Sequence, residues 1–299
     1  MPRPISPPKP TARKPKLKVP PKACDTHLHI YGPFDKFPLL SAMDDRSYTP
    51  TDVCALEHYL KLQETLGLER AVIVTGNPNG RYNNAVTLDA IERMGGRFKG
   101  LAYMDSAIPQ GELERLAAGG FTGYRIRTDR RLPDFYEDAE RSADRVRDFG
   151  WHVEVHIQSI DNAVELLPWL PKLKLPYILD HVSHARPEHL TNNDPRLQTV
   201  LDHFKNDEDC WVNIYSFYQE SASGAPAYAD MVPVVQKFVE ARPDRLVWGS
   251  NWPHAVLPNA MDTPDDGDIL DFLMAVAPDP AQQHAILVDN PAKLYGFED

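Results

Sequence analysis

Cysteine is scarce in this 299-residue chain, and the three present are Cys24, Cys54 and Cys210. They are odd in number, widely scattered and form no CxxC pair, so a disulfide framework is excluded and a reducing compartment is expected. No apolar run approaches the roughly 20 residues that cross a bilayer, so a soluble protein with no membrane partner is expected. Positive charge is also short: 32 Lys and Arg face 43 Asp and Glu, a formal charge of −11. That balance argues against a nucleic-acid binder, whose footprint is a basic face. No GxGxxG follows an early strand pattern, and no repeat occurs at the 20–50-residue periods of solenoids. What remains is a chain that is 42% hydrophobic, ample for a sizeable core at this length.

Residues 1–22 stand apart, with eight prolines, seven Lys or Arg and no acid. Such a segment buries too little to offset its own ordering, so a disordered or polyproline-like arm is expected, with 23–299 as the folded domain. The arm lacks the apolar stretch of a secretory signal, which points to a cytoplasmic location. A solvated extension is the plain reading of the arm, and a docking segment the other. Without its seven charges the body stands at −18, so an inward-facing arginine cluster there would be telling.

From Ala23 onward, short β-branched runs alternate with amphipathic stretches. Strands are expected at Ala23–His29, Ala71–Thr75, Gly100–Met104, Thr122–Ile126, Trp151–Ile157, Pro176–Asp180, Trp211–Ile214 and Arg245–Gly249. Helical spacing covers Thr51–Leu66, Asn84–Met94, Gln110–Ala118, Pro133–Phe149, Ile160–Leu170, Ala227–Ala241 and Asp266–Val276. Eight strands alternating with helices predict an α/β (β/α)₈ TIM barrel rather than a doubly wound open sheet.

In such a barrel the chemistry sits at the carboxyl ends of the strands. The first strand ends in Asp25-Thr26-His27-Leu28-His29, with both histidines on one side. The fifth ends in His156, the sixth in Asp180-His181 and the eighth in Gly249-Ser250-Asn251-Trp252-Pro253-His254. The fourth carries Tyr124-Arg125-Ile126-Arg127, with Arg130 and Arg131 behind it. Five histidines on one rim point to a site, where any one alone would be read as structural. Arg127 and Arg130 are read as ordinary solvated surface, and His58, His203 and His284 as helix residues without a role.

DTHLH, LDH and WGSNWPH together resemble the amidohydrolase superfamily, and within it the branch of lactone-processing enzymes that includes 2-pyrone-4,6-dicarboxylate lactonase and galactarolactone isomerase. The likeness runs from about Ala23 to Phe297 and includes NAVTLDAI (84–91), PDDG (264–267) and NPAKLY (290–295). The resemblance implies a hydrolase of the cyclic ester of a carboxylated lactone or pyrone. It implies His27, His29 and His181 as donors to the lactone carbonyl, with His254 as a further donor or proton relay. Arg125 and Arg131 match arginines that hold substrate carboxylates, Tyr48 and Arg186 match further substrate contacts, and His156 and Tyr218 complete the substrate-binding set. Guanidinium suits this task because it grips a carboxylate with two parallel hydrogen bonds.

The chain departs from the lactonase pattern at Asn251, where the pattern has the Asp that takes a proton from water. An amide cannot do that. The isomerase shares Asn at that point, so isomerisation by the substrate's own hydroxyl is the alternative. A metal-dependent decarboxylase and a non-catalytic ligand-binding barrel are lesser ones. The resemblance implies catalysis without metal, and no cofactor is expected. One Zn²⁺ held by His27, His29, His156 and His181 is the alternative, weakened because Asn251 brings no charge to the ion. A small anionic lactone is the expected partner. The sequence leaves a homo-oligomer open.

Overall fold

The computed structural model describes residues 3–4, 7–9, 11–40, 48–128, 134–255 and 263–298. Eight parallel strands follow one another in sequence order around the sheet: β1 (Cys24–Leu28), β2 (Arg70–Val74), β3 (Phe98–Tyr103), β4 (Phe121–Arg127), β5 (His152–His156), β6 (Tyr177–Leu179), β7 (Cys210–Ile214) and β8 (Leu246–Trp248). The seam between β8 and β1 closes just past the strands. Asn251 N–H donates to His27 C=O at 2.8 Å, and His29 N–H to Trp252 C=O at 2.8 Å. Gly249 allows this approach, since a Cβ there would lie 2.7 Å from the His27 Cβ. The result is the expected (β/α)₈ barrel.

Between the strands run α1 (Leu56–Leu66), α2 (Ala85–Met94), α3 (Gln110–Ala118), α4 (Phe135–Val146) and α5 (Ile160–Leu166). Then come α6 (Pro187–Thr191), α7 (Pro195–Asn206), α8 (Val232–Ala241) and α9 (Asp266–Val276), and the described chain closes with α10 (Pro280–His284) and α11 (Asn290–Tyr295). Three expectations need correction. α1 begins at Leu56 rather than Thr51, because Ala55 is extended (ψ 166°) and separates it from a 3₁₀ turn at Asp52–Cys54. α8 begins at Val232 rather than Ala227, because residues 221–224 fold back onto the carboxylate of Asp230, which accepts from Ser221 Oγ and the Ala222 and Ser223 amides. α7 was not anticipated, although Asp194 caps it at the Arg196 amide and Leu197, Val200 and Phe204 form its buried stripe.

The interior of the barrel is divided by height. Its lower part is apolar, built from Cys24, Val72, Val74, Leu101, Ile178 and Val247 and sealed by Tyr295 and Phe297 from the C-terminal segment. A larger apolar layer lies between strands and helices. Residues 11–22 of the arm have neither helix nor strand, as their proline content dictates. Arg3–Pro4 pair in parallel with Tyr48–Thr49.

Candidate active site

The carboxyl ends of the strands gather a polar network. A register shift between Asp25 and Leu28 turns the odd-numbered residues of β1. Asp25 faces the seam, where its carboxylate accepts from Ser250 N–H (2.9 Å), Ser250 Oγ (2.6 Å) and Tyr59 Oη (3.1 Å). Burial raises its pKa to about 6. His27 and His29 point into the barrel, and their Nε2 atoms lie 3.3 Å apart. The outer nitrogen of His29 donates to Val74 C=O at 2.7 Å, and that of His27 lies 3.0 Å from Glu154 Oε2. Burial pushes both histidines well below their usual pKa and raises Glu154 to about 8. At neutral pH the protons are then assigned in one consistent chain: Glu154 O–H to His27 Nδ1, His27 Nε2–H to His29 Nε2, and His29 Nδ1–H to Val74 C=O.

Arg125 lies at the centre of the site. Its Nε is 3.0 Å from Glu154 Oε1 and its Nη2 2.6 Å from Asp180 Oδ2. Asp180 also accepts from Tyr215 Oη at 2.9 Å, from His156 Nδ1 at 2.9 Å and, through Oδ1, from Ile157 N–H at 2.7 Å. Burial works against the charged form of Asp180, but the surrounding histidines and Arg125 hold its pKa well below the usual range. Two buried carboxylates are thus driven apart: Asp180 ionised, Glu154 protonated. His181 lies 3.6 Å from Asp180 through Nε2, while its Nδ1 is buried with no partner among the described residues. Its ring stacks on His184 at 4.9 Å, and His184 is held by Glu220 at 2.7 Å.

At the eighth strand, Asn251 Nδ2 donates to Ser216 Oγ (2.7 Å) and Tyr218 Oη (3.2 Å). Tyr218 O–H faces His254 Nδ1 at 2.8 Å, and His254 Nε2–H donates to Asp266 Oδ1 at 3.0 Å. This Asn251–Tyr218–His254–Asp266 chain is buried throughout. The loops that carry it are strained: His181 to His184 are all left-handed (φ 49–55°), as are Ser216 (57°), Asn251 (60°) and His254 (61°).

Of the expected site residues, the structure brings together His27, His29, Arg125, His156 and His181, and beside them Asn251, Tyr218 and His254. Tyr48 bonds Tyr31 through the two hydroxyls at 2.5 Å. Arg186 is half exposed, with its Nε 2.5 Å from Glu220. Arg131 lies outside the described residues. Arg125, expected to hold a substrate carboxylate, faces two protein carboxylates instead. Arg127, with Arg81, Arg125, Arg141 and the aspartates Asp105, Asp134 and Asp138, lines a cleft of about 310 Å³ over the ends of β3 and β4. Glu154, Tyr215 and Asp266 were missed. Glu154 had a signal, since it alternates with His152 and His156 along β5 and so shares their face.

A parallel barrel with its polar network at the strand ends defines a barrel enzyme. The amidohydrolase family model matches residues 24–297, and the chain belongs to that family. It is 36% identical over 285 residues to a 4-sulfomuconolactone hydrolase from Rhizobium radiobacter, covering 93% of this chain and 91% of that one. It is 33% identical over 296 residues to a 2-pyrone-4,6-dicarboxylate hydrolase from Comamonas testosteroni (96% and 94%). A D-galactarolactone isomerase from Agrobacterium fabrum is 27% identical over 285 residues (94% and 93%).

Proposed function

We propose that the protein hydrolyses the ring ester of a small anionic lactone, using His254 as general base through Tyr218. The observation that carries this reading is the hydrogen-bonded Tyr218–His254–Asp266 chain, which supplies what Asn251 withholds. Water attacks the lactone carbonyl carbon and gives its proton to Tyr218 Oη, whose own proton passes to His254 Nδ1. Asp266 stabilises the resulting imidazolium and fixes its tautomer. Collapse of the tetrahedral intermediate breaks the ring C–O bond, and His254 returns the proton to the departing alkoxide. Burial pushes Tyr218 up to about 12, which suits a proton carrier better than a standing phenolate. His181, whose Nδ1 has no partner among the described residues, is the candidate donor to the oxyanion, and the names of the two similar hydrolases, a sulfomuconolactone and a pyrone dicarboxylate, support an anionic substrate. The two lactone hydrolases, at 33% and 36% identity against 27% for the isomerase, favour hydrolysis.

Asn251 favours a second reading, lactone isomerisation, in which the substrate's own hydroxyl attacks and little base is needed. The two are separated by following 4-sulfomuconolactone, 2-pyrone-4,6-dicarboxylate and D-galactarolactone by NMR. Ring-opened acid is expected, a new ring size would establish isomerisation, and no change in any of the three would overturn both.

Two groupings invite a metal. The Nε2 atoms of His27 and His29 converge with their outer nitrogens braced by Glu154 and Val74 C=O. His156, Asp180 and His181 also place their ligand atoms within 4.8 Å of one another. The charge fits poorly, because Arg125 already sits 2.6 Å from Asp180 and 3.0 Å from Glu154, where a second cation would be repelled. The proposal is therefore metal-independent catalysis, and about one tightly held zinc per purified chain would reverse it. A cytoplasmic setting is supported by three buried free thiols.

A further inference from the structure

The arm runs down the outside of the barrel and meets the site's supports on the way. Arg13 N–H donates to the Asp265 carboxylate at 3.1 Å, and the same carboxylate caps α9 at Gly267 N–H, 2.9 Å. The Arg13 side chain pairs with Asp268 (2.6 Å) and Asp271 and also donates to Gly267 C=O (3.2 Å). Asp271 accepts in turn from the Lys16 and Leu17 amides at 2.7 and 2.9 Å. Gly267 is shaped for this contact, since a Cβ there would lie 2.3 Å from Arg13 C=O. Above it, Pro7, Pro8 and Ala12 roof a cavity of about 440 Å³ that has Trp252 among its walls. Between Asp265 and Asp268 lies Asp266, the residue that holds His254.

We infer that Arg13 is a positioning residue: by fastening the arm to the first turn of α9, it fixes Asp266 and so aims His254. Four carboxylates crowd Asp265, Asp266, Asp268 and Asp271, and their mutual repulsion would splay that turn. The Arg13 guanidinium answers Asp268 and Asp271, and its backbone N–H answers Asp265. Among the described residues Asp266 is then left to His254, so a cation on the outer wall bears on which carboxylate faces the site. The arm also pairs with Tyr48–Thr49 through Arg3–Pro4, so one strap reaches both the first and the eighth loops of the mouth.

The inference rests on the reading of His254 as the base, and the test keeps the two apart. In the full-length protein, the ring N–H of His254 donated to Asp266 should give a slowly exchanging downfield proton in the NMR spectrum, identified by its loss in His254→Gln. Arg13→Ala should broaden or abolish it. The same substitution should lower kcat on 4-sulfomuconolactone or 2-pyrone-4,6-dicarboxylate about tenfold with KM nearly unchanged. Arg13→Ala added to His254→Gln should cost nothing further. Arg13→Lys, which keeps the charge but not the fork, should fall between, and it serves as the probe if Arg13→Ala does not fold. An unchanged ring proton in a folded Arg13 variant overturns the inference, as does an additive loss in the double variant. Loss of the ring proton with full activity leaves Arg13 as the positioner of His254 and overturns His254 as base.

Discussion

The two ends of the barrel interior are built on opposite terms. At the lower end Cys24, Val72, Leu101, Ile178 and Val247 meet as apolar surfaces, closed off by Tyr295 and Phe297. At the upper end Glu154, Arg125, Asp180, His27, His29, His156 and His181 are packed against one another in ion pairs and hydrogen bonds, although His181 Nδ1 finds no partner among the described residues. Backbone strain follows the same division. Eight of the twelve non-glycine residues with positive φ among the described residues lie in the loops after β6, β7 and β8. Each such residue costs about 1–2 kcal/mol. A buried network of this kind rarely adds net stability over an apolar filling. The lower end therefore stabilises the fold, and the upper end spends part of that stability to hold neutral histidines and a proton-bearing carboxyl in fixed places.

The strongest way to break this division is to alter a residue whose role is purely chemical. Asp266→Asn keeps the shape but lets His254 adopt the wrong tautomer. Steady-state kinetics should show a kcat loss on the order of 10²–10⁴-fold, with the melting temperature within a few degrees of the parent. A loss under fivefold would remove Asp266 from the relay.

The next test compares one substitution from each end. Arg125→Met strips the shared cation from Glu154 and Asp180 and should cost about 3–5 kcal/mol in denaturant unfolding, together with most activity. Leu101→Ala at the lower end should cost a similar 2–5 kcal/mol through its cavity, while leaving kcat nearly intact in the folded fraction. If Leu101→Ala damages kcat as much as stability, the two ends are not separable.

Most of the fold was legible because each signal was local. The Gly95 and Gly119 stops set the ends of α2 and α3, and strand composition placed all eight strands to within two residues. The histidines were legible because HxH and WPH fix them at strand ends. What was not legible depended on contacts across the barrel. Nothing near Arg125 in sequence indicates that Glu154 and Asp180 occupy its guanidinium, since those partners lie on β5 and just after β6. Asp266 stood only as the first residue of an expected helix, within PDDG, and only the folded loop shows it reaching His254. The Arg13 contact spans more than 250 residues and has no sequence signature at all.

A smaller effect should appear with pH. Glu154 has its pKa raised from its usual value to about 8, so its stabilising proton is fully present below about pH 4.5 and lost as pH rises through 8. Over that window this group should lower stability by at most about 1.4 kcal/mol per pH unit. Glu154→Gln keeps a donor toward His27 Nδ1 and cannot ionise. Urea unfolding of that variant should show a flatter stability profile between pH 5 and 8 than the parent. An unchanged slope would mean that Glu154 is ionised at neutral pH, and the proton chain through His27 to His29 would have to be reassigned.

The smallest effect is expected at Asn251, although the sequence singled it out. Its amide donates to Ser216 Oγ and Tyr218 Oη, and both hydroxyls can turn to donate instead, so Asn251→Asp should fold normally. Turning Tyr218 O–H toward a new carboxylate takes its proton away from His254 Nδ1. His254 must then donate from both nitrogens, to Tyr218 and to Asp266, which favours its protonated form. The variant gains one base at position 251 and loses another at 254, so the hydrolysis rate should change by less than about tenfold at neutral pH, with the same ring-opened product. A gain of 10²-fold or more, or a switch from isomer to ring-opened acid, would show that Tyr218 and His254 do not supply the base in the parent.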